Sequence, residues 1–196
     1  MKLTQFTIGV LAAGFLSTAA WAESNAAQDQ ERNVNQQERI EQGLKSGELT
    51  TKEAGKLERQ QQHIDRMEAK DLRNGSISPA EQARLNAAEN RASHDIYKEK
   101  HDAATGNPQS ASSKRMQADV QRNVNQQQRI GNGIQSGALT NRELGSLERG
   151  QAHIDRKEAN AATNGRVGAA EQRNIQASEN HQSRRIYRKK HNARTQ

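Results

Sequence analysis

One sequence pattern occurs twice in this chain, 90 residues apart. The phrase RNVNQQERI at 32–40 returns as RNVNQQQRI at 122–130, and the same shift relates HIDRMEA at 63–69 to HIDRKEA at 153–159. Self-similarity at a fixed period indicates a chain built from repeated structural units. The fold therefore has to accommodate two similar copies, and what one copy forms the other is expected to form.

Each copy contains three stretches with helical periodicity. In the first copy they run over about 32–45, 51–72 and 79–101. Leu85, Ala88, Ala92 and Ile96 recur at intervals of three and four residues, the spacing of one helix face. No stretch alternates apolar and polar residues as a half-buried strand does. The sequence predicts an all-α fold made of two tandem copies of a three-helix unit.

A linker rich in Gly, Pro, Ser and Asn separates the two copies. The predicted segments are a signal peptide at 1–22, a flexible N-terminal segment at 23–30, helical repeat 1 at 31–103, a flexible linker at 104–120 and helical repeat 2 at 121–196. Each copy has few aliphatic residues, so its own core is marginal. Two alternatives stay open: long, loosely packed helices, or copies that pack on each other or on another chain as a homo-oligomer.

The first residues have the pattern of a secretory leader. Lys2 precedes a short apolar run, and Ala20 and Ala22 occupy the small-residue positions of a cleavage site. The run is too short for a membrane span, so no span is expected after cleavage. The chain has no cysteine, which excludes disulfides and thiolate metal sites. We expect a periplasmic or secreted protein.

Four glycine turns resemble calcium loops at first sight. Each glycine is followed six residues later by a glutamate, in the pairs Gly47 and Glu53, Gly75 and Glu81, Gly137 and Glu143, and Gly165 and Glu171. A calcium loop places oxygen ligands at its first and third positions. The third positions here are apolar: Leu44, Leu72, Ile134 and Ala162. The turns are better explained as helix ends, in which glycine takes the left-handed conformation and the glutamate completes a capping box.

Two resemblances follow from these motifs. The turns resemble degenerate EF-hand-like helix-loop-helix units whose ion ligands are missing. Over nearly all of both copies the chain resembles small exported helical-repeat proteins of Proteobacteria, through QQERIEQGLKSGELT at 36–50, HIDRMEA at 63–69 and RRIYRKKH at 184–191. That resemblance implies an exported helical protein and no particular activity.

The two copies differ in charge. Residues 31–106 contain 13 Lys and Arg against 14 Asp and Glu, whereas residues 121–196 contain 14 against 6. The basic excess near the C-terminus is larger than a helix dipole requires. It predicts contact with a protein or an anionic envelope component, because a basic surface attracts anions. Few aromatic residues are present for stacking on bases, which argues against nucleic acid. The predicted contact residues are Arg184, Arg185, Arg188, Lys189, Lys190 and Arg194.

The motif HIDR-x-EA carries acidic residues in both copies, Asp65 and Glu68 and their counterparts Asp155 and Glu158. No nucleophile or phosphate-binding loop accompanies them, as a catalytic site would require. We expect these acids to form exposed ion pairs with neighbouring Arg and Lys. The sequence therefore predicts no enzyme activity and no cofactor.

Duplicated histidines offer an alternative. His63, His101, His153 and His191 occur at matched positions, and Met67 lies one helical turn after His63, a pairing that suits a soft metal. The second copy has lysine in place of Met67, so the preferred interpretation includes no metal site. The sequence favours an exported, non-catalytic binding or scaffold protein of the cell envelope. The alternatives are a periplasmic protein that binds metal through these histidines and a periplasmic stress chaperone.

Overall fold

The computed structural model describes the backbone of residues 17–193 and the side chains of residues 25–193. This part of the chain forms six α-helices and no strand, so the predicted all-α class is confirmed. The helices are α1 (Ser17–Ser46), α2 (Thr51–Asp71), α3 (Pro79–Lys100), α4 (Ala111–Gln135), α5 (Asn141–Ala161) and α6 (Ala169–Lys190). Most of the proposed signal peptide and the predicted contact residue Arg194 lie outside the described residues. Within residues 17–193, no helix combines the length and apolar character that a bilayer crossing needs.

The glycine turns end one helix and cap the next, as predicted. The Glu53 N–H donates to Thr50 Oγ1 over 3.2 Å, and the Thr50 N–H donates to Glu53 Oε2 over 2.9 Å. The same reciprocal box starts α3 and α5. At α6 the Gly168 N–H donates to Glu171 Oε2, but Gly168 has no side-chain oxygen to complete the box. The four turn glycines have positive φ, the conformation that favours glycine: Gly47, Gly75, Gly137 and Gly165.

Of the two segments predicted to be flexible, the first is helical and the second is helical from Ala111 onward. Helix α1 covers the segment 23–30, and Asp29 and Gln30 within it are buried. Helix α4 begins at Ala111, inside the predicted linker 104–120, and Ser110 caps its N-terminus by accepting a hydrogen bond from the Ser113 N–H over 3.1 Å. Each segment buries polar side chains, Asp29 and Gln30 in the first and Ser113 and Asp119 in the second.

Helices α2 and α5 lie antiparallel at the centre of the molecule. Gly55 near the start of α2 faces Ala162 just beyond the end of α5, and Gly145 faces Leu72 in the same way. A Cβ atom on Gly55 would lie 2.4 Å from the Ala162 Cβ, and one on Gly145 would lie 2.8 Å from the Leu72 Cβ. Only glycine permits backbones to approach this closely. Helices α1 and α4 pack on each other, α3 packs against α1 and α2, and α6 packs against α4 and α5.

The apolar core is shared between the two copies. Ile40, Leu44 and Leu57 of the first copy form one buried cluster with Met116 and Ile154 of the second. The predicted apolar face of α3 is also confirmed, since all four of its residues are buried. Of the alternatives that the thin core left open, the structure shows the copies packed on each other. The two halves are therefore parts of one body.

Candidate metal centre

The facing sides of α2 and α5 are acidic rather than apolar. Helix α2 places Glu58, Gln61, Asp65 and Glu68 at intervals of three and four residues, which is the spacing of a helix–helix seam. Helix α5 repeats the set 90 residues later as Glu148, Gln151, Asp155 and Glu158. All eight side chains are at most 2 % exposed. The seam that would ordinarily hold leucine and isoleucine therefore holds carboxyl and amide groups.

The prediction of exposed ion pairs for Asp65, Asp155, Glu68 and Glu158 is wrong. The reason is that α2 is covered on two sides. Ile64 packs against α3 in one apolar cluster, while its neighbour Asp65 is buried on another side of the helix. A helix buried on two sides conceals polar residues that a single-face pattern assigns to solvent.

The six central carboxyl groups form two triads. Triad A consists of Glu58 of α2 with Asp155 and Glu158 of α5, and one oxygen from each lies within 4.8 Å of the others. Triad B is its counterpart under the shift of 90 residues: Glu148 of α5 with Asp65 and Glu68 of α2. Both copies contribute to each triad, so each site exists only because α2 and α5 are packed together.

Two buried amides border triad A. Gln37 of α1 donates from Nε2 to Glu58 Oε2 over 3.0 Å. Asn123 of α4 donates from Nδ2 to Glu158 Oε2 over 2.8 Å and to Asp155 Oδ1 over 3.4 Å. Four helices thus supply the groups around this triad.

The matching amides border triad B. Asn33 of α1 donates from Nδ2 to Glu68 Oε2 over 3.3 Å, and Gln127 of α4 donates from Nε2 to Glu148 Oε2 over 3.5 Å. Gln30 adds a third amide, whose Nε2 lies 3.1 Å from Glu68 Oε1 and 3.2 Å from Glu148 Oε1. The position that matches Gln30 in the second copy is Val120, so triad A has no such amide.

The oxygens of these amides are buried without a hydrogen-bond partner among the described residues. This holds for Gln37 Oε1 and Asn123 Oδ1 beside triad A, and for Asn33 Oδ1 and Gln127 Oε1 beside triad B. A half-turn of an amide exchanges its nitrogen and oxygen, which brings the oxygen to the triad. Triad A therefore offers three carboxylates and two amide oxygens, and triad B offers in addition the oxygen of Gln30, which is also buried without a partner. This is the type of donor set that Ca²⁺ and Mn²⁺ prefer.

The two triads lie close enough for their charges to interact. The Asp65 carboxyl of triad B interacts electrostatically with Asp155 of triad A and with Glu148 of its own triad. Burial raises the pKa of Asp65 well above its ordinary range, and the charges of Asp155 and Glu68 raise it further.

Burial also raises the pKa of other carboxyl groups in the triads. Burial raises the pKa of Asp155, with a further rise from the charges of Glu58 and Glu158. Burial also raises the pKa of Glu58 to about 7, although its hydrogen bond from Gln37 acts in the opposite direction. Among the described residues, no Lys or Arg forms an ion pair with any of the six carboxyl groups. Their charge therefore has to be neutralised by protons or by bound cations.

Four more carboxyl groups outside the triads are at most 1 % exposed. Glu89 pairs with Arg32 at 3.0 Å, and Glu179 pairs with Arg122 at 2.9 Å. Burial raises the pKa of both glutamates to about 8, despite these arginines. Burial likewise raises the pKa of the neighbouring aspartates, Asp29 to about 6 and Asp119 to about 7. With the triads, ten carboxyl groups at most 1 % exposed form five pairs that match under the shift of 90 residues.

The predicted basic contact residues divide into two groups. Arg184 and Arg188 are exposed on α6. Arg185 is half-buried, and its Nη2 donates to the Ser146 carbonyl oxygen over 2.8 Å. Lys189 is also half-buried.

Lys190 is bound internally as well. Its Nζ donates to the carbonyl oxygen of Arg129 over 3.1 Å. The basic run of the C-terminal helix therefore consists partly of side chains that fasten α6 to its neighbours.

The structure does not bring the four histidines into one ligand set. His101 stacks on Tyr97 with ring centroids 4.1 Å apart, and His191 stacks on Tyr187 at 4.2 Å. His153 is exposed, and its Nδ1 lies 3.1 Å from Arg156 Nη2.

His63 is also exposed. Within the described chain, no group of three potential ligands includes a histidine.

The acidic seam has a regular spacing in the sequence, which a search for apolar periodicity overlooks. Acidic and amide residues recur at alternating intervals of three and four residues in Glu58–Gln61–Asp65–Glu68, and the set is repeated in the second copy. This spacing places the side chains on one helix face, as the residues of a helix–helix seam are placed. No family model, curated protein or solved structure matches the chain. The candidate metal centre therefore rests on the geometry of these residues.

Proposed function

We propose that this chain is an exported, non-catalytic protein of the cell envelope that binds two hard divalent cations, Ca²⁺ or Mn²⁺, in triads A and B. The observation that carries the proposal is the pair of matched triads, buried between α2 and α5 with no protein cation among the described residues. The leader pattern at 1–22 supports the export.

Electrostatics explains why cations suit this core. A buried carboxylate is costly unless a proton or a positive charge compensates it. Protons compensate at acidic pH, and a divalent cation replaces them as the pH rises, so cation affinity increases with pH. Because each triad joins α2 to α5, a bound cation also fastens the first copy to the second.

A thermal-melting experiment tests the proposal. The chain from residue 23 onward is freed of metal with a chelator and melted at mildly alkaline pH with Ca²⁺, Mn²⁺ or Mg²⁺. A cation that binds only the folded state at 100 times its dissociation constant stabilises by about 2.7 kcal/mol per site. No rise in melting temperature with any of these ions would contradict the proposal.

Variants of triad A and of a surface control identify which carboxyl groups bind the cations. In the triad A variant, Glu58→Gln, Asp155→Asn and Glu158→Gln remove the charges and preserve the shapes of the side chains. The control is Glu99→Gln, in a third acidic group at the surface with Glu53 and Asp102. We expect the triad A variant to lose about half of the cation-induced stabilisation and the control to lose none. The reverse pattern would assign the cations to the surface.

A second candidate function is the predicted contact with an anionic surface. Five of the six acidic residues in 121–196 are buried, and only Glu171 is exposed. None of the described Lys and Arg in the same range is buried. The charged residues on the outer surface of the second copy are therefore almost all cationic, which favours an anionic partner.

Vesicle binding tests this second candidate. We expect the chain to bind phosphatidylglycerol vesicles and not phosphatidylcholine vesicles, and we expect Arg184→Gln with Arg188→Gln to weaken the binding. The control is Lys98→Gln in the first copy, the counterpart of Arg188. Equal binding to both vesicle types would contradict an electrostatic contact.

A further inference from the structure

The first copy has a groove that the cation sites do not use. It has a volume of about 550 Å³ and lies between α2 and α3, with the end of α5 at one side. Its floor is apolar and buried. The floor residues are Gly55, Ile64, Ala88, Ala92 and Ala159. Small residues at most of these positions leave the space open.

The rim of the groove is cationic. Its exposed basic residues are Lys52, Lys56, Arg59 and Arg91. The one acidic residue among the lining residues is Asp95, and its Oδ2 accepts a hydrogen bond from Gln60 Nε2 over 2.7 Å. The rim therefore has a net positive charge above an apolar floor.

The equivalent groove of the second copy is filled by polar side chains. Ala88 and Ala92 correspond to Ser178 and Gln182, and Asp95 corresponds to Arg185. The remaining space is about 340 Å³.

Arg185 and Gln182 occupy the floor of this second groove. Arg185 Nη1 donates to Gln182 Oε1 over 2.9 Å, and Arg185 Nη2 donates to Ser146 Oγ over 3.0 Å. Gly150 makes room for them, since a Cβ there would lie 2.1 Å from Gln182 Oε1. The same groove is therefore open in the first copy and filled in the second.

We propose that the open groove of the first copy binds an amphiphilic anion, a molecule with an apolar chain and a carboxylate or similar head group. The chain packs on Ile64, Ala88 and Ala92, and the head group pairs with Arg59 and Arg91. An apolar floor with a few convergent charged groups is the usual form of a small-molecule site. Arginine forms strong charge-assisted hydrogen bonds with carboxylates. This activity is separate from the proposed cation binding.

Calorimetry with a matched pair of amphiphiles tests the inference. The probe is decanoate below its micelle concentration, and the control is decyltrimethylammonium, which has the same chain and the opposite charge. We expect decanoate to bind with one molecule per chain and the cationic amphiphile not to bind. The absence of decanoate binding, or equal binding of both amphiphiles, overturns the proposal.

Two variants separate the floor from the rim. Gln60→Gly, Ala88→Ser, Ala92→Gln and Asp95→Arg introduce the residues of the filled groove, including the glycine that makes room for them. Arg59→Gln with Arg91→Gln leaves the floor intact and changes only exposed residues, so it tests the proposal even if the first variant does not fold. We expect each variant to weaken decanoate binding by about tenfold or more. The charge control is Arg84→Gln with Lys98→Gln, outside the groove, and we expect it to bind normally. Unchanged binding by the rim variant, or an equal loss in the charge control, overturns the assignment.

Discussion

The two copies are nearly identical where they face each other and different where they face solvent. The carboxyl groups that are at most 1 % exposed form five matching pairs, yet the outer grooves differ, with Asp95 in one and Arg185 in the other. Each triad takes residues from both copies, so a change in one copy affects a site that the other copy completes. Each groove draws its floor mainly from one copy, so it can change alone. The packing of the two copies on each other therefore keeps their buried residues similar, whereas the outer groove of each copy can differ.

The largest expected effect is a pH dependence of stability common to both copies. For a carboxyl group whose pKa is raised by folding, the stabilisation is complete below the unfolded pKa of about 4 and is lost as the pH rises through the folded value. Glu89 and Glu179 have folded pKa values of about 8. We expect the melting temperature of the chelated protein to be highest at acidic pH and to fall steadily up to about pH 8.

Paired substitutions test whether the copies titrate alike. Glu89 faces Arg32 and Asp29, and Glu179 faces Arg122 and Asp119. We expect Glu89→Gln and Glu179→Gln each to flatten the pH profile of the melting temperature by a similar amount. A melting temperature that rises from acidic to neutral pH in chelator would contradict the assignment.

The next largest effect separates the two triads. Triad B has the additional amide of Gln30, where triad A has Val120. At one common cation concentration, we expect neutralisation of triad B to remove slightly more cation-induced stabilisation than neutralisation of triad A, because the stabilisation increases with the affinity of the site. A site at 100 times its dissociation constant contributes about 2.7 kcal/mol. Gln30→Val should abolish the difference. If the difference persists in that variant, Gln30 is not its source.

A smaller effect concerns the close approach of α2 and α5. Gly55→Ala places its Cβ against Ala162, and Gly145→Ala places its Cβ against Leu72, so we expect each to destabilise by about 1–3 kcal/mol in denaturant unfolding. Gly55→Ala should lower the free energy of unfolding more than Gly145→Ala, because its contact is shorter. The control is Gly131→Ala in α4. Its nearest contact would be an ordinary 3.6 Å, so we expect no loss and a gain of about 0.5–1 kcal/mol.

The smallest effect lies at the helix caps. Ser78 caps α3, whereas Gly168 stands at the same place before α6. We expect Ser78→Ala to destabilise by about 1 kcal/mol and Gly168→Ser to stabilise by a few tenths of that amount. Denaturant unfolding of the two variants measures both changes in the free energy of unfolding. A loss from Gly168→Ser would mean that the turn before α6 does not accommodate a side chain.

The sequence alone predicts the helices and their turns well, because local signals specify them. The capping box of Thr50 and Glu53 needs only four residues of chain. The mutual packing of α2 and α5 depends on contacts between residues about 90 positions apart, such as Gly55 with Ala162. The acidic site is not evident from the sequence for a related reason: Asp65 has charged neighbours in the sequence, whereas the folded structure surrounds it with other carboxyl groups. Burial is a tertiary property, and its local sequence signal here is only the seven-residue spacing.

The shared core has a consequence for the origin of the chain. A single three-helix unit would leave the acidic side of α2 open and would hold only part of each triad. The complete arrangement needs two such units, so an ancestral unit of this design would have worked as a symmetric dimer. Fusion of two copies of its gene would then have allowed the two units to acquire different sequences. From that point one subunit could keep an open cleft while the other closed its own.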